Sequence, residues 1–229
     1  MMTRYLTPAR WIALVFLLQG VLGPVINFGL LAPALSAPPG FLQNAALHAG
    51  DVQIATLLAL VGAACSIGVG LILLSIAPAT ARVLALTLLV LAVLAFAASV
   101  LEGSAIRAML ALSRAFHDAG AADASAFEPL GATLQAIRRS AHYTVLMLSG
   151  GGFIALYVCM LRLGWIPRGL AVAGALAAVV CIGGAVGPLL GGRTVFALFM
   201  PLGLCQLALV AWLLAVRSSS DVRSQEIHA

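Results

Sequence analysis

VLALTLLVLAVLAFAASVLEGSAI, residues 83–106, follows Arg82 and carries no charged side chain until Glu102, 20 residues on. As a helix rising about 1.5 Å per residue, that interval reaches roughly 30 Å, the thickness of a bilayer's hydrocarbon core. The same interval recurs further along, where His142 stands 20 residues before Arg162. Glu102 and His142 are therefore expected at matching depth in neighbouring membrane-spanning helices. Near that boundary each needs a partner or water, which makes them the first candidates for a functional site.

The rest of the chain supports a membrane reading. Of 229 residues, 63% are hydrophobic and 8% charged, and the mean hydropathy is +1.14. Soluble domains carry about 25% charged residues. The formal charge of +5 does not suggest nucleic acid, because the basic residues are single arginines at segment ends rather than a stripe. All 12 basic residues are arginine, a bias that resembles a GC-rich genome, so an arginine can be ordinary flanking charge. Cys65, Cys159, Cys181 and Cys205 fall in separate apolar runs without metal or redox spacing and read as small packing residues.

Six apolar segments are long enough to span: 11–34, 52–77, 83–106, 138–161, 166–190 and 194–216. Helices are expected, since lipid leaves no partner for open backbone groups and the alternation of a membrane barrel is absent. The fold class is all-α, a polytopic six-helix bundle over residues 1–217, with 218–229 as a mobile polar tail. The first segment has the basic start of a secretion signal, but it is longer than a signal core, contains Gln19, Pro24 and Asn27, and has Pro38 after the candidate cleavage site. It is read as an uncleaved helix.

Arginine placement in the short connections puts both termini in the cytoplasm, as expected of a multi-pass protein of a bacterial inner membrane. Two outer elements follow. Residues 36–51 open on a Pro-Pro-Gly turn and lead into a short interfacial helix, with Asp51 placed to cap the second span. Residues 107–138 form a helical hairpin extending the third and fourth spans. Gly120 is its stop, Ser125 and Glu128 a capping box, and Pro129 early enough to be tolerated. Phe127, Leu130, Leu134 and Ile137 give its second arm an apolar face. In the fifth span, Gly169, Ala173, Ala177, Cys181 and Ala185 place a small residue at every fourth position for close packing. No internal repeat appears, which weakens a transporter of inverted halves.

On the fourth span Gln135, Arg138, His142 and Ser149 share a face, and Arg139 can lean toward His142. Gly150, Gly151 and Gly152 then read as a cavity wall or a close helix contact, at a cost of roughly 0.8–1 kcal/mol each relative to Ala in a water-solvated helix. On the third span Ser99, Glu102, Gly103 and Ile106 share a face, while Arg107 points about 140° away from Glu102. These residues suggest an outward-facing pocket of Glu102, His142, Arg138 and Arg139, with Asn27, Asp51 and Ser149. It would take a proton, an anionic headgroup or a small amphiphile. A purely structural ion pair between two helices is the plainer alternative.

Gln19 and Gln206 sit mid-span, where hydrogen bonding between helices is the usual role, and His48 and His117 are expected in solvent. A haem held by His48 and His142 is disfavoured, as no helix carries a spaced histidine set. No cofactor or metal is expected, and no hydrolase, P-loop or dinucleotide motif is present.

The stretch AHYTVLMLSGGGFIALYVCMLRLGWIPRGLAVAGALAAV, residues 141–179, resembles a bacterial membrane family catalogued as domain of unknown function 4386. His142 opening the fourth span, Gly164-Trp165-Ile166-Pro167-Arg168 at the turn into the fifth, and Glu102 late in the third fit its pattern. The resemblance covers roughly residues 8–215 and implies a six-helix bundle without an assigned activity. Family members often carry a second acid one and a half to two turns after the histidine, where this chain has Ser149-Gly150. A site completed by that acid would be altered here. Three classes stay open: a binding or transport protein for an amphiphile, lipid or proton; an intramembrane enzyme using Glu102 and His142 as acid and base; and a structural or assembly partner. Membrane lipid is the expected surrounding.

Overall fold

A computed structural model describes residues 6–119 and 124–226. Helix α1 spans Leu6–Pro24, runs through a π-helical turn at Val25–Leu31, and ends in α2, Ala32–Leu35. The short α3, Phe41–Asn44, precedes α4, Ala49–Ile76. Helices α5, Ala79–Ala119, and α6, Ala124–Arg162, are 41 and 39 residues long. Helix α7 covers Arg168–Leu189, and a turn of 3-10 helix at Phe196–Leu198 leads into α8, Met200–Glu226. Among the described residues there is no strand.

Six of these helical stretches are long and apolar enough to cross a membrane, Pro8–Leu35 being the first and Phe196–Ala215 the last. They are apolar outside as well as inside. Leu57, Val83, Leu176 and Leu204 lie exposed on the bundle's flank, which only lipid would solvate favourably. The protein is a multi-pass membrane protein.

Each long helix packs against the next in sequence, from α1 with α4 through to α7 with α8, and α8 returns to close on α1. This ring has two apolar clusters. One gathers Ile12, Leu73, Leu88, Leu156, Tyr157 and Leu209. The other gathers Ile26, Leu31, Phe41, Val52, Ile106 and Met109, and so includes the connection between the first two spans.

That connection is tied down by side chains on α5. The fully buried Ser113 hydroxyl donates to the Leu42 carbonyl at 2.8 Å and accepts from the Ala46 amide at 2.9 Å. His117 is exposed, as expected, and its Nε2 lies 2.9 Å from the Gln43 carbonyl, adding a surface contact to the same connection. The arm of α6 packs through Phe127, whose ring meets Phe116 edge-on at 5.7 Å, and through Leu134. Leu130 and Ile137 are exposed, against the expected apolar face. The buried line runs instead through Gly131, where an added Cβ would lie 3.1 Å from the Phe41 ring, and on to the half-buried Arg138. Gly120, the expected stop between the arms, lies outside the described residues, and α6 begins at Ala124, beside the expected cap at Ser125. Helix α8 continues to Glu226, past the start of the polar tail at Ser218.

The small-residue stripe of α7 is real but rotated. Ala177, Cys181 and Ala185 are buried as expected, whereas Gly169 and Ala173 are exposed. Ala171, Gly174, Ala178 and Gly184 complete the packed face, because α7 lies against both α6 and α8 rather than one neighbour. At Gly174 the fully buried Tyr157 ring occupies the space a Cβ would need. Gly174→Ala is therefore expected to cost about 1–3 kcal/mol through overpacking. Gly169→Ala, with nothing within 4 Å of the new methyl group, should leave the melting temperature unchanged or raise it slightly. Thermal unfolding of the two variants side by side checks the register.

Candidate functional site

Glu102 and His142 lie on α5 and α6, the pair of helices with the longest shared interface. His142 Nδ1–H donates to Glu102 Oε1 at 3.0 Å, with side chains 32% and 15% exposed respectively. The Tyr143 ring stands edge-on to the imidazole at 5.4 Å, and its hydroxyl bonds Thr194, which ties this part of α6 to the residues before α8. The residue types suit the place. A carboxylate holding one ring nitrogen fixes the tautomer and leaves Nε2 for other work, and no other hydrogen bond to that ring is made by the described residues.

Both side chains line a cavity of about 370 Å³ inside the ring of helices. That volume falls in the range of roughly 300–1,000 Å³ typical of ligand pockets. Its wall comes from α1 and the π-helical turn, α4, α5, α6 and α8. Phe16, Leu88, Phe153 and Leu156 form its apolar end, where the Phe16 and Phe153 rings meet at 5.9 Å. The opposite end holds Asn27, Thr56, Glu102 and His142.

The π-helical turn places Asn27 on the lining, where its Nδ2 donates to the Gly23 carbonyl at 3.0 Å. Such turns occur often at functional sites, because the widened backbone re-aims side chains. Gln19 crosses to α4, donating to the Gly62 carbonyl at 2.7 Å and to Ser66 Oγ at 2.8 Å. This is the helix-to-helix bond expected of it. Gly152 lines the cavity, while Gly150 admits Ile182 of α7, which would lie 2.6 Å from an added Cβ. The glycine run thus serves both as wall and as close contact.

Of the residues singled out in the sequence, Glu102, His142, Asn27 and Ser149 line the cavity, and Arg138, Arg139 and Asp51 do not. Arg138 is half-buried within electrostatic reach of Glu102, and its Nε has no hydrogen-bond partner among the described residues. Arg139 is exposed, one step further round the helix. Asp51 does not cap α4. His48 occupies the cap position, and its Nδ1 meets Asp51 Oδ2 at 3.1 Å within the first turn. Ser99 lines the cavity on the face it shares with Glu102, whereas the lining hydroxyls Thr56 and Ser66 were not foreseen. Isolated serines and threonines in apolar spans carry no spacing signal, and only Gly103, which packs against the Thr56 methyl group, hinted at a crossing there. Among the described residues His, Cys, Asp and Glu form no cluster of three or more suited to a metal.

Fold and site together define a class: a six-helix multi-pass membrane protein whose bundle holds a partly open, mainly apolar cavity with a carboxylate–imidazole pair in its wall. Residues 11–216 match the family model described as "Domain of unknown function (DUF4386)", and with that coverage the chain belongs to this family. Neither curated proteins nor solved structures gave a match.

The contact predicts energetic coupling. Hydrogen bonds to charged groups contribute about 1.5–3 kcal/mol when buried, and partial exposure places this one at the lower end. Glu102→Gln and His142→Ala should each lower stability, and the double variant should be less destabilised than the two effects added. A cycle of denaturation measurements that came out additive would remove the pair as an energetic unit.

Proposed function

We propose that the protein binds a small amphiphile or single-chain lipid within the helix bundle. The head rests against Glu102 and His142, and the chain runs toward Phe16, Phe153 and Leu156. One observation carries this reading: a sizeable cavity with an ionisable pair at one end and aromatic and aliphatic residues toward the other, beside the Gln19 amide. A pair serving only to join two helices would have no need of such a space beside it.

In this reading both termini are cytoplasmic in a bacterial inner membrane, following the arginine bias of the short connections. The Glu102 end then opens toward the outer leaflet, beneath the hairpin arms of α5 and α6. Asn27 and Ser149 complete the polar wall. Arg138 steadies the carboxylate from behind rather than touching the ligand, and Arg139 faces the surroundings.

Binding of any such ligand raises stability by mass action, by about 2.7 kcal/mol at a hundredfold excess over Kd. Purified protein screened against single-chain amphiphiles should show a concentration-dependent rise in Tm. Ala63→Phe, which puts a ring into the cavity, should abolish that rise while leaving the protein folded. A rise of equal size in wild type and Ala63→Phe would place the effect on the outer surface and end the proposal.

A further inference from the structure

We propose that the cavity selects an uncharged head that donates a hydroxyl hydrogen bond to His142 Nε2, as in a long-chain alcohol or a monoacylglycerol, over carboxylate or ammonium amphiphiles. This rests on the amphiphile reading above and names the chemistry of its ligand.

The charges near the head site already offset one another. Among the described residues Glu102 is the single acid in the lining, and no arginine or lysine lines it. Arg138, one turn before His142, lies half-buried within electrostatic reach of Glu102 without contributing to the wall. An anionic head would meet the carboxylate with no cation in the wall to receive it. A cationic head would compete with Arg138 for the same carboxylate. A charge brought in from water without a matched partner is strongly disfavoured in such surroundings, and that exclusion is a device for specificity.

Hydrogen bonding points the same way. The Nδ1–H of His142 is spent on Glu102, so a neutral ring offers Nε2 as an acceptor. Several other polar groups in the wall already bond the protein, although Ser149 and Gln206 also line it. Thr56 Oγ1 donates to the Val52 carbonyl at 2.8 Å and Ser99 Oγ to the Ala95 carbonyl at 2.9 Å. Asn27 and Gln19 are engaged as described above. Near Glu102 the imidazole Nε2 is a neutral acceptor with no protein hydrogen bond among the described residues, and so is free to receive a ligand O–H. The chain has room as well. Glu102 and Leu88 are 14 residues apart on α5, as are His142 and Leu156 on α6. Both pairs line the cavity, giving it a run of about 21 Å at 1.5 Å per residue.

The test holds the chain constant and changes the head. Wild-type protein in phosphatidylcholine nanodiscs is titrated with dodecanol, dodecanoate and dodecyltrimethylammonium, and binding is read as the rise in Tm over that of Ala63→Phe, which subtracts partitioning into the bilayer. Dodecanol is expected to act at about tenfold lower concentration than either charged analogue, the effect of one hydrogen bond and one avoided unpaired charge. His142→Phe should erase that preference while retaining binding of the chain. Should that variant fail to fold, Arg138→Gln offers an independent readout, since removing the cation behind Glu102 should move the preference toward the ammonium analogue. If wild type favours dodecanoate or the ammonium compound, or binds all three alike, the inference falls and the amphiphile reading stands. If none of the three separates wild type from Ala63→Phe, both fall.

Discussion

A hydrocarbon solvent supplies no hydrogen bonds, and that constraint governs where most polar groups of this bundle lie, the buried Tyr157 hydroxyl and Arg138 Nε being exceptions among the described residues. Along the spans, serine and threonine hydroxyls fold back onto the carbonyl one turn earlier, as Thr87 does onto Val83, Ser104 onto Val100 and Thr144 onto Ser140. Those residues can then face lipid at little cost. Longer polar side chains cannot satisfy themselves so locally, and they face inward. Gln19 reaches α4, and Glu102 reaches His142. The same rule that builds the helices therefore concentrates the uncommon polar groups in the interior, where they meet the cavity.

The cavity itself follows from how the ring closes. Helices that pack in sequence order, with the last returning to the first, leave an axis to be filled by side chains. At one end Tyr157, Leu156 and Met160 fill it; at the other, Phe41 and its neighbours from the connection 36–48 do so. Between them the lining is small: Ala55, Ala59, Ala63, Ala92 and Ala95 stand where larger residues would have met. Packed interiors hold few voids beyond the size of a water molecule, so a space this large, flanked by two well-filled clusters, is a feature of the design rather than loose packing.

Much of this was legible in the sequence, and the limits are instructive. The six spans are a matter of length and hydropathy, which survive any packing arrangement. The meeting of Glu102 and His142 was legible because both were measured against a fixed ruler, the distance to an arginine at the far boundary. Rotation about each helix axis was not legible. In a water-soluble helix the polar face reveals the orientation, but here outer and inner faces are equally apolar. That is why Gly169 and Ala173 proved exposed while Gly174 carries the tightest contact of α7. Asp51 was misplaced for a different reason: moving a helix start by a few residues turns a capping residue into a first-turn residue, and a neighbouring histidine then captures it.

The placing of Arg138 draws these strands together. Its position on the face of α6 that carries Gly131 and Leu134 buries it, yet the cavity wall passes it by. A guanidinium so placed is costly to desolvate, and the charge of Glu102 acts against that cost without cancelling it. The carboxylate in turn can sit in an apolar wall because it has a cation within reach and an imidazole N–H in front. Glu102 thus has an imidazole N–H in contact and a guanidinium within electrostatic reach, and among the described residues the ring's Nε2 makes no hydrogen bond. The pair that joins two spans therefore also lines a void, which a bridge between helices does not by itself require.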